Sequence, residues 1–404
     1  MLKHRQFILI LFSFVFLGFF DCNAQWVKSN LPNEFVIHLK ITAFAVSGNN
    51  IFVSKEEDAL YLSSNNGFTW NSLFFYFDAL AIKGNDLIGG LNAVYLSTDH
   101  GSNWTVLDSG YDIFNITSLA VNGNNIFAGT FYNGIWVSTN NGASFDQDSN
   151  GIKHYMVNSI VINNSNVFAG TNNGIFLSTN NGKSWTPANN GLTNKDVHSL
   201  AVSFNNVFAG TDNGVFLSTD NGSSWYPINN GITDSVINSF TSAGNYVFAG
   251  TNSGGVFLTS NYGVNWSSIP IGLTSADVTA LALSSNNILA GTRIGDIWYR
   301  TLANITTGIT TNKNDLPTTF KLYQNYPNPF NPTTMISYQI PNDGFVTLKI
   351  YDILGREIKT LVNDFKSQGK YSVNFDGSDL VSGVYFYQLR VGDFYSIKKM
   401  ILMK

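Results

Sequence analysis

The chain has 404 residues with a net charge of −4, and only 12% of its residues are charged. This length is sufficient for more than one packed core, and the mildly negative charge excludes the basic surface that nucleic-acid binding requires. A low content of charged residues, together with abundant Asn, Ser, Thr and Gly, is typical of an extracellular β protein.

The N-terminus has the pattern of a secretory signal peptide. A basic leader (residues 3–5) precedes an apolar run (residues 7–20), and small residues follow, so we expect residues 1–24 to be removed by cleavage after Ala24. One alternative is a membrane-anchoring helix, for which the run is short. Another is lipidation of Cys22, although the residues before it do not resemble a lipobox. Cleavage after Ala24 removes the only cysteine, and with it any disulfide or Cys-based metal site.

From residue 63 onward, the pattern Ser/Thr-x-x-x-Gly-x-x-aromatic returns about every forty residues. Its closing aromatic residues are Trp70, Trp104, Phe145, Trp185, Trp225 and Trp266, at spacings of 34, 41, 40, 40 and 41 residues. Each unit contains four short runs of strand character separated by turn residues, for example VNSIVI, NVFAGT, GIFLST and SWTPAN within residues 157–189. Four-stranded sheets that repeat at this period are typical of β-propeller blades.

The two ends of the repeat region complement each other. After Trp266 the chain has three more strand-like runs but no fourth, whereas Gln25-Trp26-Val27 looks like a fourth strand without the other three. Trp26 lies 44 residues before Trp70, which is close to one period. We therefore predict an all-β fold in which residues 25–303 form a seven-bladed β-propeller closed by the N-terminal strand. Such closure removes exposed sheet edges.

The eight-residue unit resembles the Asp-box of the BNR-repeat families, which include sialidases, sortilin-type receptors and photosystem II assembly factors. The family pattern is Ser-x-Asp-x-Gly-x-x-Trp, and its Asp position is occupied here by Asn65, Asp99, Asn140, Asn180, Asp220 and Asn261. Because Asn also accepts a turn hydrogen bond, we expect these residues to keep a structural role. The resemblance implies that each box joins the third and fourth strands, on the face away from the usual active site.

The opposite face, which we call the loop face, carries the candidate binding residues. Its aromatic residues lie in the stretches FFYF (74–77), YDIF (111–114), FY (131–132) and HY (154–155). Such side chains stack on sugars or hold a peptide, or they only cover the gaps between blades. We select as candidate ligand-binding residues Tyr76, Tyr111, Phe131, Tyr132, His154 and Tyr155. The polar residues placed on this face are Glu56, Glu57, Asp58, Asn172, Asp196, His198, Asp212 and Arg293.

Catalysis is the main alternative to binding. The family resemblance implies three arginines in a sialidase site, whereas the propeller region has two, Arg293 and Arg300, so a sialidase is excluded. Glycoside hydrolysis requires two carboxylates around the scissile bond, and the acidic residues of the propeller show no such signature. The sequence thus favours a non-catalytic propeller that binds an extracellular glycan or protein, with a glycoside hydrolase as the alternative and a protein-assembly scaffold as a weaker one.

The remaining sequence signals point away from bound inorganic groups. The histidines are dispersed and lack metal-ligand spacing, so we expect no metal and no cofactor. We also expect no nucleic-acid partner, and a monomer.

The C-terminal part of the chain has a different composition. Residues 304–319 are polar and aperiodic and are predicted to be a linker. Residues 320–404 contain five strand-like runs with alternating apolar positions, which is typical of a small Ig-like β-sandwich. One interpretation of this domain is an accessory module with an Ig-like fold and no specialised role.

Three strings of the C-terminal part, YPNPFNPTT (326–334), IYDILGREIKTLV (350–362) and SGVYFYQL (382–389), resemble the type IX secretion C-terminal sorting domain of Bacteroidetes. The resemblance implies export across the outer membrane, the type IX secretion machinery as a partner, and a secreted or surface-displayed product. The residues of the sorting motif are Tyr326, Pro327, Asn328, Pro329, Phe330, Asn331 and Pro332.

Overall fold

A computed structural model describes residues 25–32, 39–107, 115–147, 150–152, 155–269, 275–285, 287–302, 305, 319–342, 344–366, 369–392 and 394–404. The predicted signal peptide and nearly all of the predicted linker lie outside these residues. The described part of the chain is all-β, as predicted, and contains 34 strands. None of its helical segments is long and apolar enough to cross a membrane.

The described residues up to Leu302 form seven antiparallel sheets, numbered here as blades 1 to 7. The first strand, β1 (Val27–Ser29), precedes blade 1, which contains β2 (Ile41–Ser47), β3 (Asn50–Lys55), β4 (Leu60–Ser63) and β5 (Asn71–Leu73). Blade 2 contains β6 (Ala79–Lys83), β7 (Asp86–Gly90), β8 (Val94–Ser97) and β9 (Thr105–Leu107). Blade 3 contains β10 (Ile116–Asn122), β11 (Asn125–Thr130) and β12 (Ile135–Ser138), with a single bridge between Val137 and Asp146 in place of a fourth strand.

The later blades follow the same order. Blade 4 contains β13 (Val157–Asn163), β14 (Asn166–Thr171), β15 (Gly174–Ser178) and β16 (Thr186–Pro187). Blade 5 contains β17 (Val197–Ser203), β18 (Asn206–Thr211), β19 (Gly214–Ser218) and β20 (Tyr226–Pro227). Blade 6 contains β21 (Ile237–Ala243), β22 (Tyr246–Thr251), β23 (Val256–Thr259) and β24 (Ser267–Ser268), and blade 7 contains β25 (Val278–Leu283), β26 (Asn287–Thr292) and β27 (Ile297–Thr301).

The sheets close into a ring. The first strands of consecutive blades lie next to one another, and the first strand of blade 7, β25, lies against that of blade 1, β2. The N-terminal strand β1 completes blade 7 by antiparallel pairing with β27, with Val27 opposite Tyr299. The N-terminal strand therefore pairs as the sequence predicts, and the last sheet has no open edge on that side.

Glycine is required where neighbouring blades approach most closely, in the Ala-Gly-Thr triplet at the end of the second strand. A Cβ atom on Gly210 would lie 2.6 Å from Cγ2 of Ile237 in the next blade. A Cβ atom on Gly291 of blade 7 would lie 2.5 Å from Cγ2 of Ile41 in blade 1. Because real Cβ contacts are never this short, the repeated triplet encodes the spacing of the blades.

The apolar cores of the propeller lie between adjacent blades, where two sheets pack face to face. In one of them, Phe127 and Val137 of blade 3 pack with Phe176 of blade 4 and with its box residue Trp185. The exposed fraction of Trp185 is 3%. Full burial of such a side chain stabilises the folded state by about 1.5–3 kcal/mol. The closing aromatics that are buried in this way are therefore major contributors to blade packing, namely Trp70, Phe145, Trp185, Trp225 and Trp266.

The C-terminal domain consists of two sheets around one core. The smaller sheet contains β28 (Lys321–Leu322), β29 (Thr333–Ile340) and β32 (Gly369–Asp376). The larger sheet has the order β31 (Glu357–Lys366), β30 (Gly344–Tyr351), β33 (Gly383–Val391) and β34 (Phe394–Leu402). Buried residues from both sheets, such as Ile336, Leu348 and Tyr387, share this core.

Candidate functional site

A pocket of about 640 Å³ opens on the loop face of the propeller, and we call it the loop-face pocket. It is lined by the second residue of the first strand in six blades, namely Thr42, Thr117, Asn158, His198, Asn238 and Thr279. Because the first strands are the ones in contact around the ring, this set marks the mouth of the central channel. The mouth of the channel is thus lined mainly by hydroxyl and amide groups.

Most of these polar side chains connect one blade to the next. The donor and acceptor pairs are Thr117 Oγ1 to the carbonyl of Val157 (2.6 Å), Asn158 Nδ2 to Val197 (2.8 Å), Asn238 Nδ2 to Val278 (3.2 Å) and Thr279 Oγ1 to Ile41 (2.7 Å). The last of these bonds joins blade 7 to blade 1. These hydrogen bonds give the pocket a rigid floor, which favours a preorganised binding site.

Charged residues of both signs form the rim of the pocket. Lys40 Nζ lies 3.1 Å from a carboxylate oxygen of Glu56, and the Nε atom of Arg293 lies 2.5 Å from Asp277. Asp78 is half-buried near the Lys40–Glu56 pair, and burial raises the pKa of its carboxyl group above the ordinary value. Lys40 lowers that pKa, and the neighbouring acidic side chains of Glu56 and Glu57 raise it. The rim therefore contains two ion pairs and one carboxyl group that protonates more readily than usual.

Two of the predicted binding residues, Phe131 and Tyr132, line this pocket. They follow β11, and their rings meet edge to face with centroids 4.3 Å apart. The exposed fraction of Tyr132 is 65%, which is high for a large aromatic side chain. Phe131 supports the ring of Tyr132 from one side, so Tyr132 presents an aromatic surface above the polar mouth of the channel.

The other four predicted residues are not brought to this pocket by the described part of the chain. Tyr155 is half-buried and stacks on Phe176 at 5.4 Å, as part of the core between blades 3 and 4. Tyr76 is half-buried and is not among the residues that line the pocket. Tyr111 and His154 lie outside the described residues.

A cluster of Asp196, His198 and Asp212 stands at the edge of the loop-face pocket. The Nε2 atom of His198 lies 2.7 Å from Oδ1 of Asp212, and one ligand atom of each residue lies within 4.8 Å of the others. His198 is brought beside Asp212 because β17 pairs with β18 in a register that places Val197 opposite Thr211. Each of the three residues was predicted on this face, but the cluster was not, since the side chains converge only through that register. Carboxylate and imidazole groups are ligands for Zn²⁺ and Mn²⁺ in proteins.

The six Asp-box residues form the same hydrogen-bonded turn on the far side of blades 1 to 6. In the box of blade 2, Asp99 Oδ1 accepts hydrogen bonds from Ser97 Oγ (2.8 Å) and from the backbone amide of Asn103 (2.9 Å). Asn65 accepts the equivalent bonds from Ser63 and Thr69, each at 2.9 Å. Asn therefore makes the same turn as Asp. The hydrogen bonds from Asn103 lower the pKa of Asp99 to about 2.

The predicted sorting motif is folded into the C-terminal domain. Phe330 is buried, its backbone amide donates to the carbonyl of Ile401 (2.9 Å), and its carbonyl accepts from the amide of Met403 (2.9 Å). These bonds place the motif along the edge of β34. Asn325 is the residue before the motif, and its side chain donates to the carbonyl of Pro327 and to Oγ1 of Thr334, both at 3.0 Å. The motif therefore caps an otherwise open edge of the larger sheet.

These features define an exported β-propeller protein with a C-terminal sorting domain. Residues 324–403 match the family described as the secretion system C-terminal sorting domain. This match indicates export through the type IX secretion system to the cell surface or the extracellular space. No match was found among curated proteins.

Solved structures with the same fold include YCF48 bound to D1 peptide, at a TM-score of 0.57 and 12% identity over 70% of this chain and 98% of that one. A second is PorZ of Porphyromonas gingivalis, a surface component of the type IX secretion system (TM-score 0.50, 14% identity, 90% and 59% of the chains). A third is the extracellular domain of BT4673 from B. thetaiotaomicron (TM-score 0.57, 16% identity, 84% and 47% of the chains). This chain thus spans about three fifths of the length of PorZ and about half of the length of the BT4673 domain. At these identities the likeness shows the fold alone.

Proposed function

We propose that the propeller is a non-catalytic binding module that holds an extracellular polypeptide or glycan in the loop-face pocket, and that a polypeptide is the better fit. The observation that carries this proposal is the Phe131–Tyr132 pair. Tyr132 is largely exposed, it is supported by Phe131, and it stands over a polar cavity of about 640 Å³. An aromatic anchor beside polar groups is the usual composition of a recognition site.

The rim charges favour a polypeptide over a neutral glycan. Lys40 and Arg293 line the pocket and offer cationic groups. Glu56, which also lines the pocket, and Asp277, which pairs with Arg293, offer carboxylates. A polypeptide carries side chains of both signs and backbone amides, whereas a neutral sugar has only hydroxyl groups to match ionic ones. The structure of YCF48 with a bound D1 peptide is an example of a similar fold that holds a peptide.

A glycoside hydrolase is the second candidate, and Asp78 is the observation that favours it. Burial raises the pKa of its carboxyl group, as required for a general acid. The second carboxylate of the pocket, Glu56, is held in an ion pair with Lys40, which competes with a role as base or nucleophile. If this candidate is right, Asp78→Asn removes hydrolysis of polysaccharide substrates while leaving their binding intact.

The two candidates are separated by one set of assays on the full-length exported protein. Peptide and glycan arrays are probed with the wild type and with Tyr132→Ala, using Phe68→Ala as the control because Phe68 is 61% exposed at an Asp-box, away from the pocket. We expect Tyr132→Ala to remove the peptide signals and Phe68→Ala to leave them unchanged. Reducing-sugar release that is lost in Asp78→Asn would instead establish the hydrolase. Binding that survives in Tyr132→Ala would exclude the loop-face pocket.

A further inference from the structure

A second and larger cleft, of about 910 Å³, lies on the Asp-box side between the propeller and the C-terminal domain, and we call it the interdomain cleft. Its walls are joined by contacts across the two domains. Thr333 Oγ1 donates to a carboxylate oxygen of Asp220 at 3.3 Å, and Asn374 Nδ2 donates to the carbonyl of Thr219 at 3.0 Å. The cleft is separate from the loop-face pocket, since the two share no lining residue.

Two aromatic residues of the cleft occupy turn positions that other blades give to small or polar residues. Phe204 has φ +53° in the turn between the first two strands of blade 5, where the other blades have Gly48, Gly84, Gly123, Asn164 and Gly244, all with positive φ. Tyr262 has φ +57° in the box turn of blade 6, where the other boxes have Asn66, His100, Asn141, Asn181 and Asn221. A bulky side chain in the left-handed region is disfavoured, so both positions retain backbone strain that the repeat avoids elsewhere. Such strain is commonly found at functional sites.

The two unusual residues meet at one wall of the cleft. The rings of Phe204 and Tyr262 are edge to face with centroids 6.2 Å apart, and 66% of Phe204 is exposed. A second aromatic pair joins the domains, because Tyr226 of blade 5 lies edge to face with Tyr326 of the sorting motif at 6.3 Å. The C-terminal domain therefore leaves aromatic surface open in the cleft and does not cover it.

The polar lining of the cleft consists mainly of uncharged groups. Five asparagines of the propeller contribute to it, and Lys370 is the one charged residue among the described residues of the lining. Aromatic rings stack on the C–H faces of sugars, and amide groups donate to and accept from hydroxyl groups. A single cationic group does not match the repeated charges of an acidic polymer or the mixed charges of a polypeptide. The chemistry therefore selects an uncharged polyhydroxylated ligand.

We propose that the interdomain cleft binds a neutral oligosaccharide or a segment of a neutral polysaccharide. Phe204 and Tyr262 supply the stacking platform, the asparagines contact the hydroxyl groups, and Tyr326 closes the site from the sorting domain. This site is independent of the one proposed on the loop face.

The test uses the full-length protein, with laminarin, dextran, xyloglucan and mannan as neutral probes and alginate as an acidic one, in affinity electrophoresis and calorimetry. The double variant Phe204→Gly/Tyr262→Asn installs residues that other blades carry at these positions. We expect it to lose at least ten-fold in affinity for the bound neutral polysaccharide, while its Tm stays equal to or rises above that of the wild type because strain is relieved. Phe68→Ala removes an exposed aromatic outside the cleft, and Tyr132→Ala alters only the loop face, so both should bind as the wild type does.

Four results would overturn the proposal. The first is wild-type affinity for a neutral polysaccharide in the folded double variant. The second is the failure of the wild-type protein to bind any of the four neutral probes. The third is tighter binding of alginate than of the neutral probes, which would mean that Lys370, and not the aromatic and amide groups, sets specificity. Loss of neutral-polysaccharide binding in Tyr132→Ala alone would assign the ligand to the loop face instead.

Discussion

Trp26 donates its indole N–H to the carbonyl of Ile269, 243 residues later in the sequence, at a distance of 3.4 Å. Trp225 and Trp266 make the same kind of bond to residues of the preceding blade, Ala188 and Ile228, each at 2.8 Å. Trp26 therefore takes the place of the closing box aromatic in blade 7, although it lies in the N-terminal strand and precedes blade 1 in the sequence. The side chain of Trp26, which lies outside the six Asp-box units of the sequence, thus helps to hold the ring closed.

Replacement of Trp26 tests this closure. Trp26 is 2% exposed, so Trp26→Ala leaves a large cavity between blades 6 and 7 and should reduce the free energy of unfolding by about 3–5 kcal/mol. Phe74→Ala, at a fully exposed position, should change it by less than about 0.5 kcal/mol. Urea unfolding followed by tryptophan fluorescence measures both. Equal effects of the two substitutions would mean that the N-terminal strand is not part of the propeller.

The spacing between blades is tested at Gly210. A Cβ atom there would lie 2.6 Å from Ile237, so Gly210→Ala should destabilise the protein by about 1–3 kcal/mol through overpacking. Gly383→Ala is the matched control, because the nearest atoms to its added Cβ lie at 3.9 and 4.0 Å. The comparison is made by thermal melting monitored with circular dichroism. A neutral Gly210→Ala would show that adjacent blades are less closely packed than the structure indicates.

Much of the fold could be predicted because the determinants are local and repeated. The spacing of the boxes, the Asn-Gly turns and Trp26 each specify a strand or a turn that lies within a few residues of them in the sequence. The strand Glu357–Lys366 was missed because its sequence, EIKTLVNDFK, mixes charged and apolar residues without clear alternation. It lies at the edge of its sheet, where solvent exposure tolerates such a composition.

Acid stability depends on the carboxylate of Asp99. The hydrogen bonds from Asn103 and Ser97 lower its pKa from 3.8 to about 2, so the folded state is stabilised by the ionised form. This contribution is complete above pH 3.8 and is lost as the pH falls toward 2. We expect the Tm of the wild type to be higher than that of Asp99→Asn at pH 6, and this difference in Tm to disappear near pH 2. A difference in Tm that does not change with pH would contradict the role of the ionised carboxylate.

In the sorting domain, the hydroxyl group of Tyr387 anchors the segment just before the sorting motif. Its hydroxyl accepts from the backbone amide of Asn325 and donates to the carbonyl of Tyr323, each at 2.8 Å, and burial raises its pKa to about 12. Tyr387→Phe leaves the buried amide of Asn325 without this acceptor and should destabilise the domain by about 1–3 kcal/mol. Tyr395→Phe, at a 68% exposed position, is the control.

Denaturant unfolding measures the stability of both tyrosine variants, and alkaline spectrophotometric titration counts the tyrosines that ionise near pH 12. Tyr387→Phe should remove one such group and Tyr395→Phe none. Equal stability of the two variants would show that the hydroxyl does not anchor the motif segment.

The candidate site was less predictable than the fold. Phe131 and Tyr132 were identified because the second-to-third strand turn of a blade faces the loop side, a consequence of strand order alone. Tyr155 was selected as an aromatic residue of an inter-blade loop, and it is half-buried and packs on Phe176. Whether an aromatic residue at a blade junction points outward depends on packing between blades, which sequence spacing does not encode.

The most direct test of the binding function is the affinity of the loop-face pocket for a peptide selected on the protein itself. A phage-displayed random peptide library is panned on the immobilised full-length protein, and the Kd of the best synthetic peptide is measured by calorimetry for the wild type, Tyr132→Ala and Phe68→Ala. Tyr132 is an exposed anchor, so its removal should raise the Kd about ten-fold or more with no change in Tm, and Phe68→Ala should match the wild type. Equal Kd values for all three proteins would contradict a binding site at the loop-face pocket.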